Sequence, residues 1–204
     1  MTVADDYAVT ASRQIYAGRI VALKVDTVRM SDGAFADREV VVHPGAVAVV
    51  ALDGDGNAVV VSQYRHPVGL RLTELPAGLL DVEGEPALLA AQRELAEETA
   101  LVADQWWTLA DIFTSPGILG EAIRIFLARG LHSVPEDERF EAEHEELTLT
   151  VHRVPLHELV DAALDGSLQN GIAVAGVLAA DRALARGLDT LRPATAPWPA
   201  RPGH

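Results

Sequence analysis

The sequence predicts an α/β fold, more fully an α+β sandwich around a mixed sheet, with an N-terminal antiparallel β extension. Val-rich segments with strand patterning and apolar segments with helical spacing follow one another along the chain, which is typical of this class. Its 204 residues suffice for one full-sized core with a small appendage. We therefore expect an N-terminal β subdomain over residues 1–43, a main domain over 44–190 and a flexible Pro-rich tail over 191–204.

The first half of the chain is predicted to form mainly strands. Ile20–Met30 and Arg38–Val42 alternate apolar and polar residues in places. Gly45–Leu52 is almost continuously apolar and rich in valine, as expected for a strand buried on both faces. Asp53–Asn57 has the composition of a turn, and Val59–Tyr64 is predicted to return as the hairpin partner.

The second half is predicted to mix loops, strands and helices. A loop over 76–84 precedes Pro86, which fits the first turn of a helix that runs to about Thr99. We expect strands at 106–113, 123–128 and 147–151, an acidic loop at 134–146, and helices at 156–164 and 172–186. The residues after Leu191 carry four prolines and are expected to form a poorly ordered end.

The composition excludes several kinds of site. The chain has no cysteine, which excludes disulfides, thiolate zinc sites and cysteine nucleophiles. Its net charge of −14 repels phosphate backbones, so we expect no nucleic acid partner. No apolar run reaches the ~20 residues of a membrane span, and the first residues lack signal-peptide features, so we expect a cytoplasmic protein without a membrane partner. A divalent cation is the simplest way for so acidic a chain to bind an anionic substrate.

The predicted helix after Pro86 carries three clustered carboxylates. Glu94, Glu97 and Glu98 fall within an arc of roughly 100° beside an apolar stripe that includes Leu95. Glutamate-rich helices are usually just solvated faces, and the helix alone does not exclude that interpretation. A hard cation such as Mg²⁺ would turn the repulsion among these carboxylates into attraction, because it takes oxygen ligands.

The segment around this helix resembles the Nudix box, G-x5-E-x7-R-E-U-x-E-E-x-G-U, in which U is apolar. The chain departs from the pattern at two positions. Gly78 lies one residue too far from Glu85, and Ala100 replaces the final glycine, so that Ala100 must either adopt a left-handed conformation or let the helix end differently. The residues that match at the right mutual spacing are Glu85, Arg93, Glu94, Leu95, Glu97, Glu98 and Leu101. The resemblance implies the Nudix fold.

Within this family the chain resembles the ADP-ribose pyrophosphatases over roughly residues 18–180. Those enzymes have a proline about fifteen residues beyond the box, and Pro116 holds that position, followed by Glu121 as in their SPG…E pattern. Gln63-Tyr64-Arg65, Leu75-Pro76-Ala77-Gly78 and Arg38-Glu39 also match the subfamily. The resemblance implies metal-dependent hydrolysis of ADP-ribose to AMP and ribose 5-phosphate.

The resemblance also implies a role for each matching residue. Glu94, Glu98 and the backbone carbonyl of Ala77 would bind Mg²⁺, with Mn²⁺ as the alternative ion, and Glu97 would join them in catalysis when several ions bind. Arg65 would contact the phosphates or ribose of the substrate. The other residues expected to contact the substrate are Arg38, Glu39, Leu79, Gly117, Ile118, Leu119 and Glu121. The family tends to have more polar residues where this chain has Ile118 and Leu119.

The catalytic base is expected in the acidic loop Glu141–Glu146. Glu146 directly precedes a predicted strand and is the first choice, both as base and as a further metal ligand; Glu145 and Glu143 are the alternatives. A carboxylate in this place would accept the proton of the attacking water. His144 is a lesser candidate.

Three other functions compete with ADP-ribose hydrolysis. The first is the same chemistry on another nucleoside diphosphate sugar, such as GDP-mannose. The second is a non-catalytic sensor that binds ADP-ribose, although such proteins usually lose box glutamates and carry a DNA-binding appendage. The third is a structural protein whose glutamates only face solvent. Related enzymes are typically homodimers that use their N-terminal strands, and we expect a homodimer here.

Overall fold

A computed structural model describes residues 7–140 and 148–201, and in these residues strands predominate over helices. The chain separates into two compact units by its internal contacts. The first unit contains the described residues up to Gly45, the segment Phe113–Ile123 and the residues from Trp198 onward; the second contains Ala46–Ile112 and Arg124–Pro197. The predicted α/β class with an N-terminal antiparallel extension is confirmed.

The first unit is built on a three-stranded antiparallel sheet in the order β1-β2-β3. Its strands are β1 (Val9–Ala17), β2 (Ala22–Arg29) and β3 (Phe35–Val42). The sequence predicted β2 and β3 but not β1, which is exposed along its whole length and therefore lacks a clear inward-facing pattern. The loop after Ser115 joins this sheet at Val41, whose N–H donates to the Ile118 carbonyl while its own carbonyl accepts from Gly120 N–H.

The second unit contains a larger sheet and three helices within the described residues. Its strands are β4 (Ala46–Leu52), β5 (Asn57–Arg65), β6 (Leu70–Glu74), β7 (Ala77–Leu79), β8 (Leu101–Phe113), β9 (Ala122–Ser133), β10 (Thr150–Pro155) and β11 (Arg192–Pro193). The helices are α1 (Ala87–Thr99), α2 (Leu156–Asp165) and α3 (Gly171–Arg186). The main order of strands is β10-β5-β4-β9-β8-β11, with β6 also pairing with β5 and β7 with β4. No helix among the described residues is both long and apolar enough to cross a bilayer.

The centre of this sheet follows directly from the apolar run in the sequence. Every residue of β4 is buried, as predicted for a strand covered on both faces. The turn to β5 is held by Asp53, whose carboxylate accepts hydrogen bonds from the amides of Asp55 and Asn57. From one face, α3 approaches the sheet closely at Gly176, where a β-carbon would lie 2.6 Å from Leu75 Cδ1.

The sequence analysis missed or displaced several short strands. Strands β6 and β7 lie where no strand was predicted, because each has few residues; β6 pairs with β5 in a hairpin, and β7 pairs with the more distant β4. β8 starts at Leu101, directly after α1, rather than at Trp106. The strand predicted at 147–151 is β10, Thr150–Pro155, set in register by pairing with β5.

The segment after Leu191, which we expected to be poorly ordered, makes several specific contacts. Arg192 and Pro193 pair with β8, and the Pro193 carbonyl accepts from Thr108 Oγ1 at 3.0 Å. The buried Arg124 donates to the carbonyls of Ala196 and Pro197, at 2.6 and 3.1 Å. The composition of this segment could not reveal these contacts, because their partners lie in β8 and β9.

The end of α1 resolves the question raised by the replacement of the box glycine. Ala100 adopts the left-handed conformation, with φ 53° and ψ 36°, and its N–H donates to the Ala96 carbonyl. Among the described residues it is the single non-glycine residue with positive φ. The helix therefore ends as a glycine-capped helix would, at a conformational cost of about 1 kcal/mol.

Ala100→Gly should therefore stabilise the protein by about 1 kcal/mol, because glycine adopts this conformation without the steric penalty. The matched control is Ala96→Gly, one turn earlier within the helix, which should destabilise by a similar amount. Chemical denaturation of the three proteins measures both changes. A lower free energy of unfolding for Ala100→Gly would contradict the assignment of strain to this residue.

Candidate active site

Helix α1 presents its carboxylates along the edge of a buried stripe. Ala90, Ala91 and Leu95 are fully buried, and the helix packs against β4 and β7. Glu94, Glu97 and Glu98 remain half-buried beside this stripe. The three acidic groups therefore cluster on one flank of the helix, as the sequence predicted.

Arg93 binds three glutamates at once. Its guanidinium donates to both oxygens of Glu85 at 3.2 and 3.1 Å, to Glu94 Oε1 at 2.7 Å and to Glu97 Oε2 at 2.9 Å. These contacts, with the hydrogen bonds to Glu85 foremost, raise the pKa of Arg93. The fork geometry of a guanidinium suits this task, and it fixes the rotamers of side chains that would otherwise repel one another.

Gly78 lies directly against the Glu94 carboxylate. A β-carbon at this position would overlap the carboxylate carbon and both of its oxygens. Glycine is therefore required for close approach rather than for a turn. The additional residue of the loop lies between Gly78 and Glu85, and the glycine keeps its contact with the box.

Glu98 lies next to the same strand. Its Oε2 accepts a hydrogen bond from the Ala77 amide at 3.1 Å. Burial raises the pKa of Glu98 to about 8; the Ala77 amide and Arg65 oppose this shift, while the charges of Glu94 and Glu74 add to it. Burial likewise raises the pKa of Glu94, even though Arg93 acts against the shift. Two neighbouring carboxylates are thus held where their negative charge is poorly solvated.

This arrangement fits a hard divalent cation in its chemistry. The hydrogen bonds described above use one oxygen each of Glu94, Glu97 and Glu98, which leaves the second oxygen of each side chain. Within residues 7–140 and 148–201, no three carboxylates or imidazoles are already gathered as a ligand set. Arg93 holds two of these carboxylates, so they would have to turn toward an ion. The Ala77 amide is at the site, and the role predicted for its carbonyl stays a prediction.

Arg65 is positioned by a buried partner that the sequence analysis missed. Glu74 is 3% exposed and accepts from Arg65 Nη2 at 2.6 Å and from Arg65 Nε at 3.0 Å. Gln63 also donates to Glu74, at 3.2 Å. Gln63 and Glu74 are buried polar residues of β5 and β6, and no apolar pattern marked Glu74 in advance, since β6 also contains Arg71 and Thr73. The pair sets the direction of Arg65, whose side chain is 42% exposed.

The substrate residues predicted in the first unit come together from two distant segments. Arg38 and Glu39 of β3 share two clefts with Gly117 and Ile118, and one of these clefts also reaches Leu119. Their volumes are about 450 and 380 Å³. Arg13 of β1 lines the larger cleft and was missed, because β1 itself was not predicted.

Glu121 is fixed by two residues of the same unit. Thr114 Oγ1 donates to its Oε2 at 2.5 Å, and His43 Nε2 lies 3.5 Å from its Oε1. His43 Nδ1 accepts from the Gly45 amide at 3.1 Å, so in the neutral imidazole the proton lies on Nε2, facing Glu121. Both oxygens of Glu121 are therefore oriented by neighbours that the sequence analysis did not select.

Two predicted groups of residues remain to be located. Leu79 lies in β7, opposite Ala46, and is half-buried. Glu146, the predicted base, lies outside the described residues, together with its alternatives Glu143 and Glu145 and with His144.

Comparison with known proteins decides the family. The NUDIX domain matches residues 42–173, which is well over half of the chain. The chain belongs to the Nudix family of hydrolases. The preceding residues, 8–41, match the nucleoside diphosphate sugar hydrolase N-terminal domain.

Individual relatives agree with this assignment. The chain is 47% identical to an ADP-ribose pyrophosphatase of Mycobacterium tuberculosis over 197 residues, covering 97% of this chain and 93% of that protein. It is 40% identical to an ADP-ribose pyrophosphatase of Bacillus subtilis over 129 residues, which are 63% and 69% of the two chains. A crystal structure of an ADP compounds hydrolase superposes with a TM-score of 0.76 at 20% identity, covering 92% and 99% of the chains, and confirms the fold.

The raised pKa of Glu98 predicts a pH-dependent stability in the absence of metal. A carboxyl group whose pKa rises on folding stabilises the protein below its ordinary pKa of 4.5, and this contribution is lost as pH rises through about 8. Glu98→Gln should therefore melt at a higher temperature than the wild type at about pH 9 in chelator, with a smaller difference at about pH 5. The exposed Glu83→Gln serves as control and should show no such trend. A Glu98→Gln protein that melts below the wild type at about pH 9 would refute the burial argument.

Proposed function

We propose that this protein hydrolyses the pyrophosphate bond of ADP-ribose with the help of Mg²⁺, releasing AMP and ribose 5-phosphate. The observation that carries the proposal is the pairing of Glu94 and Glu98, both poorly solvated, against Gly78 and Ala77 of β7. The similarity to the M. tuberculosis ADP-ribose pyrophosphatase, which extends over nearly the whole of both chains, supports the choice of substrate.

In this proposal the carboxylates of α1 hold the cation. Glu94 and Glu98 are the main ligands, with Glu97, the Ala77 carbonyl and Glu146 as further ones. The bound ion supplies positive charge to the diphosphate and makes water easier to deprotonate. Arg93 keeps Glu94 and Glu97 oriented, since it already binds one oxygen of each.

Other residues would bind the substrate and move the proton. Arg65, aimed by Glu74, would contact a phosphate or ribose oxygen, and Leu79 would contact the substrate from β7. Glu146 would accept the proton of the attacking water. The residues proposed to contact the nucleoside and the distal ribose are Arg38, Glu39, Gly117, Ile118, Leu119 and Glu121.

We further propose that the N-terminal sheet forms a homodimer. Large apolar side chains are exposed on it, with exposed fractions of 56% for Val9, 60% for Tyr16 and 63% for Phe35. Several large apolar side chains exposed on one sheet are typical of an interface. Residues 1–43 would then form the dimerising subdomain and residues 44–190 the hydrolase domain.

The direct test is product analysis with the full chain. ADP-ribose and Mg²⁺ should yield AMP and ribose 5-phosphate, and chelator should abolish the reaction. Glu94→Gln should lower turnover by about 100-fold or more, while the exposed Glu83→Gln should retain it. Failure to release AMP, or normal turnover of Glu94→Gln, would contradict the proposal.

GDP-mannose belongs in the same assay at matched Mg²⁺. A GDP-mannose pyrophosphatase of Yersinia pestis is 27% identical over 133 residues, which are 62% of this chain and 65% of that protein. The apolar Ile118 and Leu119 also differ from the more polar residues usual in ADP-ribose enzymes. A higher kcat/KM for GDP-mannose than for ADP-ribose would replace the proposed substrate while leaving the chemistry in place.

Gly78→Ala tests the close approach of β7 to the carboxylates. The added methyl group would push Glu94 aside, and a displacement of this kind can cost about 100-fold in turnover. Gly171→Ala, where a β-carbon meets open space, is the matched control and should keep full activity. Steady-state kinetics with ADP-ribose measures the effect. A fully active Gly78→Ala enzyme would show that this contact does not position Glu94.

A further inference from the structure

A separate cleft lies in the second unit, beside the turn between β4 and β5. Its volume is about 220 Å³, and the turn, β9 and β10 supply its walls. None of its lining residues belongs to α1, to β7 or to the segments proposed to bind substrate. The lining residues that bear on its chemistry are Asp53, Gly54, Arg129, His132 and Arg153.

The acidic group of this cleft, Asp53, already accepts hydrogen bonds from its own turn and from Arg153. The Asp53 carboxylate accepts from the amides of Asp55 and Asn57, from Asn57 Nδ2 at 3.1 Å and from Arg153 Nη1 at 3.0 Å. Burial acts to raise its pKa, but these hydrogen bonds outweigh burial and lower the pKa overall. Asp53 therefore stays ionised and holds Arg153 at the cleft, and its own lone pairs are engaged by four donors.

Among the basic residues of the cleft, His132 is paired with Asp104, whose Oδ2 lies 2.8 Å from His132 Nε2, whereas the two arginines keep free donors. Arg129 is half-buried, and its guanidinium makes no hydrogen bond or ion pair with any residue of the described chain. The Gly54 amide, in the turn itself, likewise donates to no described residue. Arg153 binds Asp53 through one nitrogen only, with its side chain 47% exposed. The free donors of the cleft are therefore those of Arg129, of Arg153 and of the Gly54 amide.

We propose that this cleft binds a phosphoryl group, either as orthophosphate or as the phosphate of a small phosphomonoester. Guanidinium groups bind phosphate oxygens through paired N–H donors, and backbone amides in turns add to such sites. The volume suits a phosphate with a small organic group, since pockets for larger ligands begin at about 300 Å³. Unlike the carboxylates of α1, this cleft offers N–H donors directly to an anion.

Amide NMR on the full chain in chelator tests the proposal without using turnover. Orthophosphate should shift the amides of Gly54 and of Gly130, which also lines the cleft, saturably at millimolar concentrations. Arg129→Gln should weaken the binding by about tenfold or more, because it removes a charged donor but no contact within the described protein. The matched control, the exposed Arg182→Gln, should bind as the wild type does.

Two further titrations identify the ligand. Glycerol 3-phosphate that binds more tightly than orthophosphate would identify a phosphomonoester, and the reverse order would identify the free ion. Acetate should bind much more weakly than either. The proposal is overturned by an absence of saturable shifts at these amides, by unchanged affinity in a well-folded Arg129→Gln protein, or by equal binding of acetate.

Discussion

The contact between Arg93 and three glutamates is the interaction on which the rest of the candidate site depends. Without the guanidinium of Arg93, like-charge repulsion among Glu94, Glu97 and Glu98 would destabilise the helix that carries them. Arg93 offsets this repulsion and connects the helix to Glu85 in the preceding loop. Glu98 is held differently, by a main-chain amide of β7, in surroundings that solvate its charged form poorly. In the proposed function a metal ion would bind here, and the carboxylates held by Arg93 would turn toward it.

Three places in this strongly acidic chain could offer positive charge to an anion, each by a different means. At α1 the carboxylates would bind a divalent cation that in turn attracts the diphosphate. At Arg65 a buried carboxylate, Glu74, aims a guanidinium outward. Near Arg129, Asp53 is paired with Arg153, and the guanidinium of Arg129 keeps its donors free. Net charge alone therefore predicts little about where an anion binds. A carboxylate paired with an arginine can orient that arginine toward an anion, whereas an unpaired carboxylate repels the anion.

The sequence predicted the features that depend on local pattern. The buried strand β4, the helix after Pro86 and the clustered box glutamates all follow from apolar runs, helical spacing or motif spacing, and the structure has each of them. The features that were missed depend on pairing between strands rather than on local pattern. β7 is a strand only because it pairs with β4, and Glu74 matters only because β6 brings it to Arg65. The choice open to Ala100, between strain and a different helix end, could be stated from the sequence but not decided from it. The predicted base, Glu146, lies outside the described residues.

Metal binding itself is the most direct measure of whether the α1 carboxylates form the proposed centre. Titration with Mn²⁺, followed by electron paramagnetic resonance without any substrate, reports the affinity of the protein for the ion. We expect saturable binding by the wild type, at least tenfold weaker binding by Glu98→Gln, and unchanged binding by the exposed Glu83→Gln. Equal affinity in all three proteins would contradict the assignment of a metal centre to this helix.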